Sequence, residues 1–503
     1  MSWYSLVSGM FYLVTAATLA AVVGTVNTLT GIVLACVVFG VLGMLFSSYA
    51  TKTGLTMALI SQRLFGSAGA LAAPLILAAT SIYYAVFESS MIAHAFDATI
   101  GGLDIRVWYA VAVAMNLPLV MGGIRRWMDK YNAILLPVYW GGLLLVVFLA
   151  SAKTDTSGWI DSVPAEPVAL AAPGWLYAFF IYLGVLVLMM FTMDFARFGK
   201  PKDAKTNGFF VFGPFFYVLV YLANGIIGIF IAYAAGMDGN ISTTAIVEYM
   251  IALLGGWGLF LVWVTQARIN TANFYEASTN IEALFLRVFR RRLPRVSAVL
   301  LCGVITYLIM LTDVMSYVLV ALAWQGAFIA SWVGIMLVHI LLHPAGDKHG
   351  LPEFRPGRVA RFSIGAYVWI FTSLLGIGMF QFGGWVGSTW STPLTFIGAA
   401  LLYGIFTKRI NHSPVLSRPN DPRDEVDDIW ETFIECHVCE NSYVAVEMDR
   451  DPSKAGSPAI CTACATVSSA FVEACHRDID PGRVGAGVTV PTVAKERHAA
   501  SYE

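Results

Sequence analysis

Long apolar stretches follow one another along the chain from Trp3 to Phe406, and short polar gaps separate them. A helix needs about 20 apolar residues to cross a bilayer. The pattern predicts about twelve such helices, at residues 3–24, 29–49, 71–96, 107–123, 131–150, 174–193, 209–235, 250–275, 296–312, 317–342, 362–382 and 392–407. The stretches lack the strict alternation of membrane β-strands. We therefore expect an all-α polytopic membrane protein that contacts the lipid bilayer.

The composition agrees with this class. The chain is 58% hydrophobic and only 13% charged, and its mean hydropathy is +0.70. Soluble domains carry about 25% charged residues. The formal net charge of −1 says nothing about partners, because the charges are sorted by side of the membrane. We predict no nucleic-acid partner.

Lys and Arg fall almost entirely in alternate gaps between the predicted helices. In chain order these gaps hold Lys52 and Arg63; Arg125, Arg126 and Lys130; Arg197, Lys200, Lys202 and Lys205; Arg287, Arg290, Arg291, Arg292 and Arg295; and Lys348, Arg355, Arg358 and Arg361. The other gaps hold only Arg106 and Lys153. Because basic loops stay in the cytoplasm, the bias predicts an even number of crossings with both termini cytoplasmic. The predicted location is the cell membrane, plasma or inner.

The character of the chain changes after the last apolar stretch. We predict a transmembrane domain at 1–409, a polar and Pro-containing linker at 410–429, a small Cys-containing module at 430–480 and a disordered tail at 481–503. The tail has Gly, Val, Thr and Ala without a pattern, which is typical of segments that cannot bury a core.

Segments of the membrane half resemble one transporter family in order and spacing. Residues 52–56 (KTGLT) and 63–66 (RLFG) resemble the loop between helices 2 and 3 of the nucleobase:cation symporter-1 family, especially cytosine permeases. Residues 80–84 (TSIYY) resemble its third helix, 193–199 (MDFARFG) the exit of helix 6, and 266–275 (QARINTANFY) helix 8. The similarity extends to about residue 410.

The resemblance implies a leucine-transporter-like fold, with two inverted five-helix repeats followed by two helices. It also implies alternating access, a site built from helices 1, 3, 6 and 8, and small heterocyclic substrates such as cytosine, purines, hydantoin or allantoin. Inverted repeats place their substrate site near the bilayer midplane, between broken helices.

Tyr84 and Glu88 lie one helical turn apart within an apolar stretch. A carboxyl group at this depth costs several kcal/mol unless it faces a cavity or a partner. Spacing of i, i+4 places both side chains on one face. The resemblance implies that these positions stack on and hydrogen-bond the substrate ring. The alternative is that Glu88 pairs with a basic residue only to hold helices together.

Arg268 is a second ionised residue inside a predicted helix. In sodium-coupled relatives, small hydroxyl residues that help to bind sodium precede the matching Asn, and this chain has Arg268 and Ile269 there. We expect coupling to a proton or to no ion, with Arg268 standing in for sodium and bridged to Glu88. The alternative is an arginine that extends to the membrane interface.

Other polar and small residues complete the predicted site. Asn270 and Asn273 could hydrogen-bond the edge of a base, or could bridge helices instead. Gly184 lies where helix 6 of the family unwinds. Thr15 and Ala16 mark a candidate break in helix 1, next to the ion position.

Two Cys-x-x-Cys pairs lie in the predicted module. Cys436 and Cys439 precede Cys461 and Cys464 by 21 intervening residues, a spacing close to that of structural zinc sites. Four thiolates could hold one zinc ion and fold a segment too small for its own core. The alternative is a flexible tail with reduced free thiols.

The sequence therefore predicts a secondary active transporter of nucleobase-like heterocycles, with a structural or regulatory zinc module. The alternative is a transporter-like receptor that signals through its cytoplasmic tail to a protein partner, because the Cys pattern also resembles tails found between transporter-like domains and bacterial sensor kinases. An enzyme is not predicted, since no nucleophile–base set occurs in the membrane half.

Overall fold

The computed structural model describes residues 2–121, 128–164, 169–237, 241, 244–312, 314–345, 351–409, 415, 418 and 420–477. The predicted tail at 481–503 and part of the predicted linker lie outside the described residues.

Helices make up the membrane part. They are α1 Met10–Val23, α2 Thr25–Thr53, α3 Met57–Gly69, α4 Ala72–Thr99, α5 Ile105–Met121, α6 Asp129–Lys153, α7 Gly174–Leu183, α8 Val187–Ala196, α9 Ala204–Phe210, α10 Pro214–Tyr217, α11 Asn224–Ala234, α12 Ala245–Leu254, α13 Gly256–Phe289, α14 Arg295–Met310, α15 Val314–Leu342, α16 Ile364–Phe382 and α17 Gly384–Arg409. Short 3₁₀ helices cover Trp3–Ser8 and Pro201–Asp203, and a π-helical stretch covers Val218–Ala223.

Within the described residues, seven helical segments are long and apolar enough to cross a membrane, or eight if the bent pair α7 and α8 forms one span. The remaining predicted crossings correspond to the shorter apolar helices α1, α5 and α14 and to α13, which is long but carries many polar residues. Every predicted crossing is thus occupied by a helix, and the all-α prediction is confirmed.

The membrane helices pack in groups. In the first group α2 packs on α7, α8 and α1, and α1 packs on α11; in the second group α13, α14 and α5 pack around α4. The helices α15, α16 and α17 form a third group. Close packing within the first group depends on Gly228 of α11, where an added Cβ atom would lie 2.3 Å from the carbonyl oxygen of Leu13.

Two spans of the first group are broken. Gly9 is extended (φ −66°, ψ 125°) and separates the 3₁₀ helix Trp3–Ser8 from α1. The prediction of a break at Thr15 and Ala16 is wrong, because both lie within regular α1. The break lies six residues earlier, at Gly9, where an added Cβ atom would lie 2.6 Å from Ile269 Cδ1. The second break lies between α7 and α8, which are bent by 44°, and it begins at Gly184 as predicted.

The Cys-containing module follows the membrane part. Strands β1 Phe433–Glu435 and β2 Ser442–Val444 pair antiparallel, as do β3 Met448–Arg450 and β4 Ala459–Cys461. Short 3₁₀ helices cover Pro422–Glu425 and Ala445–Glu447, and helices α18 Thr462–Val467 and α19 Ser469–Arg477 complete it. Its small core contains Met448, Ile460 and Phe471 together with the cysteines.

Three loops that the sequence predicts to be basic lie against or near this module. Arg292 Nη2 donates to the Tyr443 hydroxyl at 3.1 Å, Arg355 Nη1 donates to the Met448 carbonyl at 2.8 Å, and Arg197 lies near Glu447. These loops therefore share one face of the membrane domain, here named the basic face, which the positive-inside rule predicts to be cytoplasmic.

Candidate functional site

A narrow cavity with about 350 Å³ of space between atoms lies where the two broken spans meet α4 and α13. The residues that line it come from the 3₁₀ helix and α1 (Leu6, Phe11, Tyr12), from α4 (Tyr84, Glu88), from the break and α8 (Val185, Val187, Leu188, Phe191) and from α13 (Ile269, Asn273). The lining is mostly apolar with a few polar groups, as in small-ligand sites.

Aromatic side chains narrow the cavity. The half-buried Tyr84 ring lies 6.3 Å from Phe11, measured between centroids, and Phe11 lies at the same distance from Phe87. Tyr12 is held by Tyr221 of the π-helical stretch at 5.6 Å. Tyr84 therefore lines the cavity beside a cluster of rings, where a planar ligand could stack on a ring face.

Glu88 is the one acidic residue among the cavity-lining side chains. It is 2% exposed, and within the described part of the chain its Oε2 atom has no hydrogen-bond partner. Gln266 of α13 approaches the carboxyl group, but neither of its amide atoms reaches hydrogen-bond geometry with a described residue. Because a buried acceptor without a donor is costly, the site has unused hydrogen-bonding capacity next to the cavity.

Arg268 is fully buried but lies outside the cavity lining. Its Nη2 atom donates to the Tyr4 carbonyl at 2.9 Å, and its guanidinium carbon lies 5.9 Å from the centroid of the Tyr139 ring. Among the described residues no ion pair joins Arg268 to Glu88, so the predicted bridge is wrong. The burial of the guanidinium also argues against an arginine that extends to the interface.

Side-chain donors satisfy backbone carbonyl groups just before the break at Gly9. Arg268 donates to Tyr4, and Asn224 Nδ2 donates to the Val7 carbonyl at 2.7 Å. The Asn224 carbonyl group accepts in turn from the Tyr139 hydroxyl at 2.5 Å. Unwound carbonyls at such a break are the groups that coordinate cations in transporters with broken helices.

The two asparagines of α13 differ in position. Asn273 lines the cavity, and its Nδ2 atom donates to Asn270 Oδ1 at 3.3 Å. Asn270 lies outside the lining and donates to Ser89 Oγ of α4 at 3.1 Å. Gly184 is also outside the lining, although its neighbour Val185 is part of it. A direct substrate contact is thus geometrically easier for Asn273 than for Asn270.

Several cavity residues were not found from the sequence. Phe11 and Tyr12 follow the break at Gly9, which was predicted elsewhere. Ile269 was also missed. It lies three residues after Gln266 and four before Asn273, which was predicted, and this spacing on one face of α13 could have identified the side of the helix that faces the cavity.

A second candidate site lies in the module. The Sγ atoms of Cys436, Cys439, Cys461 and Cys464 all lie within 4.8 Å of one another, close to the separation of about 3.8 Å expected for four thiolates at 2.3 Å from one tetrahedral zinc ion. The Cys461 N–H donates to Cys436 Sγ at 3.3 Å. The four thiols therefore fit a tetrahedral metal ion.

Buried ion pairs attach the module to the loop between α15 and α16. Arg355 is 1% exposed and pairs with Asp421 at 2.6 Å and with Glu353 at 2.7 Å. Asp449 of β3 accepts from Arg358 and from Arg418, each at 3.0 Å.

Guanidinium groups also control the ionisation of an acid in this network. Burial raises the pKa of Glu353, but Arg355 and Arg423 outweigh burial and hold that pKa well below its ordinary value. The carboxylate is therefore charged near neutral pH, and its contribution to stability is lost only as the pH falls through the lowered pKa.

Neither a family model nor a curated protein matches the sequence. Solved structures do match. Mhp1, described as a nucleobase-cation-symport-1 family transporter, in a closed conformation with bromovinylhydantoin bound, has a TM-score of 0.61 and 16% identity over 81% of this chain and 90% of that chain. The inward-facing conformation of Mhp1 has a TM-score of 0.63 and 18% identity over 81% and 88% of the two chains.

A Na⁺-coupled sialic acid symporter in its substrate-bound outward-open state also matches, with a TM-score of 0.54 and 12% identity over 82% of this chain and 90% of that chain. Two differently specific transporters thus share this fold. The predicted leucine-transporter-like fold is confirmed, and so is the resemblance to a nucleobase:cation symporter-1 protein at the level of the fold.

We expect Asp449→Asn to loosen the module from the basic face. The change removes the carboxylate that Arg358 and Arg418 share, although Arg358 keeps its pair with Asp421 at 3.3 Å. Loss of one partner of a buried ion pair costs about 3–5 kcal/mol. Limited proteolysis of the full-length protein should release the module faster.

The matched control is Glu425→Gln, since Glu425 pairs with Arg450 but its side chain is 43% exposed. Such a surface pair contributes at most about 1 kcal/mol. Equal protease resistance of the two variants would contradict a role for the buried network.

Proposed function

We propose that this protein is a secondary transporter of the nucleobase:cation symporter-1 family, and that it moves small planar heterocycles across the membrane by alternating access. The observation that carries the proposal is the cavity between the two broken spans, α4 and α13, with an aromatic ring and an unsatisfied carboxyl group on its wall. Because a fold alone does not identify a substrate, the substrate class is inferred from the side chains of this wall.

The wall fits a flat ring that carries N–H donors. Such a ring stacks on Tyr84, directs an N–H group at Glu88 Oε2 and uses the Asn273 amide for a second polar contact. Cytosine, purines, allantoin and hydantoins all carry suitable donors. The bromovinylhydantoin bound to Mhp1 has the same chemistry, which supports this class.

The fold provides a route for alternating access. The cavity lies between the first helix group, which contains both breaks, and the second, which contains α4 and α13. The breaks at Gly9 and Gly184 are points at which each span can bend. A relative movement of the two groups would open the cavity to one side of the membrane at a time.

Sodium is not required in this proposal. Arg268 supplies a fixed positive charge next to the carbonyls before the Gly9 break, where a cation could otherwise bind. The coupling ion is then a proton or absent.

We expect Tyr84→Ala to weaken binding of a labelled heterocycle about tenfold, since the stacking face is lost. Glu88→Gln should weaken it tenfold or more, because a charged acceptor contributes about 1.5–3 kcal/mol to a hydrogen bond. Isothermal titration with cytosine, hypoxanthine and allantoin measures both.

Tyr83→Ala is the matched control for the aromatic change, because Tyr83 precedes Tyr84 on the same helix but is not part of the cavity lining. Equal loss of binding in the two tyrosine variants would show that the site lies elsewhere.

We expect uptake into proteoliposomes without sodium. Arg268→Ser should be inactive or should become sodium-dependent, whereas Arg268→Lys, which keeps the positive charge, should retain sodium-independent uptake. The measurement is flux of a labelled heterocycle with sodium or choline as the only external cation. Strict sodium dependence of the unaltered protein would rule out this role of Arg268.

For the module we propose a structural zinc ion held by the four clustered thiols. One zinc ion per chain should be found by elemental mass spectrometry. Cys461→Ser should lose the metal, whereas Cys475→Ser should keep it, because Cys475 is buried nearby but outside the cluster. Full metal content in the Cys461 variant would contradict the assignment.

A receptor is the second candidate function, and the docking of the module on the basic face favours it. Such a protein would bind the heterocycle and pass the change to a protein partner through the module. Binding without flux in proteoliposomes would favour the receptor. Deletion of residues 430–503 should leave the flux of a transporter intact.

A further inference from the structure

Two buried carboxyl groups meet between the cavity and the basic face. Asp194 lies in the last turn of α8 and is 2% exposed, and Glu276 lies in α13 and is fully buried. Asp194 comes three residues after the cavity residue Phe191, and Glu276 three residues after Asn273. The pair therefore lies one helical turn from the cavity, in the direction of the basic face.

The hydrogen bonds of the pair are incomplete. Asp194 Oδ1 accepts from the Met57 N–H at the start of α3 at 2.9 Å, which favours a negative charge there. Glu276 Oε2 accepts from Asn280 Nδ2 at 3.4 Å. Glu276 Oε1 is buried and has no donor among the described residues.

The group that Glu276 does approach is the Asp194 carboxyl, which lies within hydrogen-bonding reach. Two carboxylates are both acceptors, so this contact is favourable only when one of them carries a proton. Without that proton, two like charges would face each other in a buried site.

The nearby charged groups have other partners. Arg197 Nε donates to the backbone carbonyl of Asp194 at 3.2 Å, and its guanidinium lies 4.2 Å from the Phe198 ring centroid. Glu447 of the module also faces Arg197. On the α14 side, Arg295 pairs with Glu282 at 3.2 Å and lies over the Tyr275 ring. The two arginines moderate the negative charge but leave Glu276 Oε1 without a donor.

The pair joins the two helix groups that would have to move. Asp194 belongs to the first group and Glu276 to the second. The neighbouring rings of Phe195 and Tyr275 make the same crossing, with centroids 5.5 Å apart, and Trp3 packs on Phe195 at 5.6 Å. Together these contacts close the gap between the groups on the basic face.

We propose that Asp194 and Glu276 share one proton, and that this proton holds the basic face of the cavity closed. When the proton leaves to water on that face, the two carboxylates repel each other and the groups separate. The claim that the pair is the ion-coupling site rests on the proposed transport function. The claim that the pair is a proton-dependent contact does not.

The test is hydrogen–deuterium exchange of the full-length protein without substrate, read by mass spectrometry at about pH 5.5 and about pH 8.5. Glu276→Gln provides a permanent donor to Asp194. Asp194→Asn can still accept from Met57 N–H while donating to Glu276. Glu282→Gln is the control on the same helix. All four proteins are compared at the same pH, so intrinsic exchange rates cancel.

At the higher pH, the segment Trp3–Ser8 and α8 should exchange about tenfold faster in the unaltered protein and in the control than in the two pair variants. The reason is that each pH unit above the pKa of the pair lowers the ratio of protonated to deprotonated pair tenfold. At the lower pH all four should agree. Equal exchange of unaltered protein and pair variants at both pH values, or faster exchange of both pair variants throughout, would overturn the proposal.

Flux measurements test whether the pair couples proton movement to transport. In proteoliposomes, a pH gradient should accelerate uptake of labelled hypoxanthine, cytosine or allantoin by the unaltered protein. Glu276→Gln, which keeps the contact closed at every pH, should lose this acceleration but still bind the labelled compound. Acceleration that persists in Glu276→Gln would overturn the coupling role. If no substrate moves at all, the transport function fails, and hydrogen–deuterium exchange still decides whether the pair holds a proton.

Discussion

A polar side chain at membrane depth must be satisfied by protein or by water, because lipid offers no partner. In this molecule the constraint acts chiefly on helix α13. Its buried face carries Gln266, Arg268, Asn270, Asn273 and Glu276 in succession. The polar groups of these side chains meet different partners. The helix accordingly has a part that anchors neighbouring elements, a part that forms the cavity wall and a part that contacts the other helix group.

The anchor is formed by Arg268, which donates to the backbone before the Gly9 break, and by Asn270, which donates to α4. The cavity wall is formed at Asn273 and near Gln266, opposite Glu88 on α4. In the direction of the basic face, Glu276 meets Asp194. A substrate in the cavity and a proton on the carboxyl pair would thus act on the same helix, one turn apart, which gives a short physical path between them.

The sequence alone was sufficient to predict features that depend on local composition and on contact with water or lipid. Apolar length predicted the crossings, charge sorting predicted loops that share one face, and Cys spacing predicted the thiol cluster, because each follows from local composition. Glu88 was found because a carboxyl in an apolar helix is conspicuous, and Tyr84 because it lies one turn away in a segment that carries the family resemblance. The break at Gly9 was missed, since a glycine near the end of an apolar stretch looks like an ordinary membrane residue. The missing Arg268–Glu88 bridge could not be predicted either, because it depends on which faces of α4 and α13 meet.

The claim on which these relations depend is that the cavity beside Glu88 contains water and admits a ligand. The most direct measurement is modification of Leu188→Cys, on an apolar part of the cavity wall, by a water-soluble thiol reagent in vesicles, with the modified residue identified by mass spectrometry. The predicted result is modification that a bound heterocycle slows, while the buried Cys36 and Cys302 stay unmodified. An introduced thiol that is inert from both sides of the membrane would contradict a wet binding cavity.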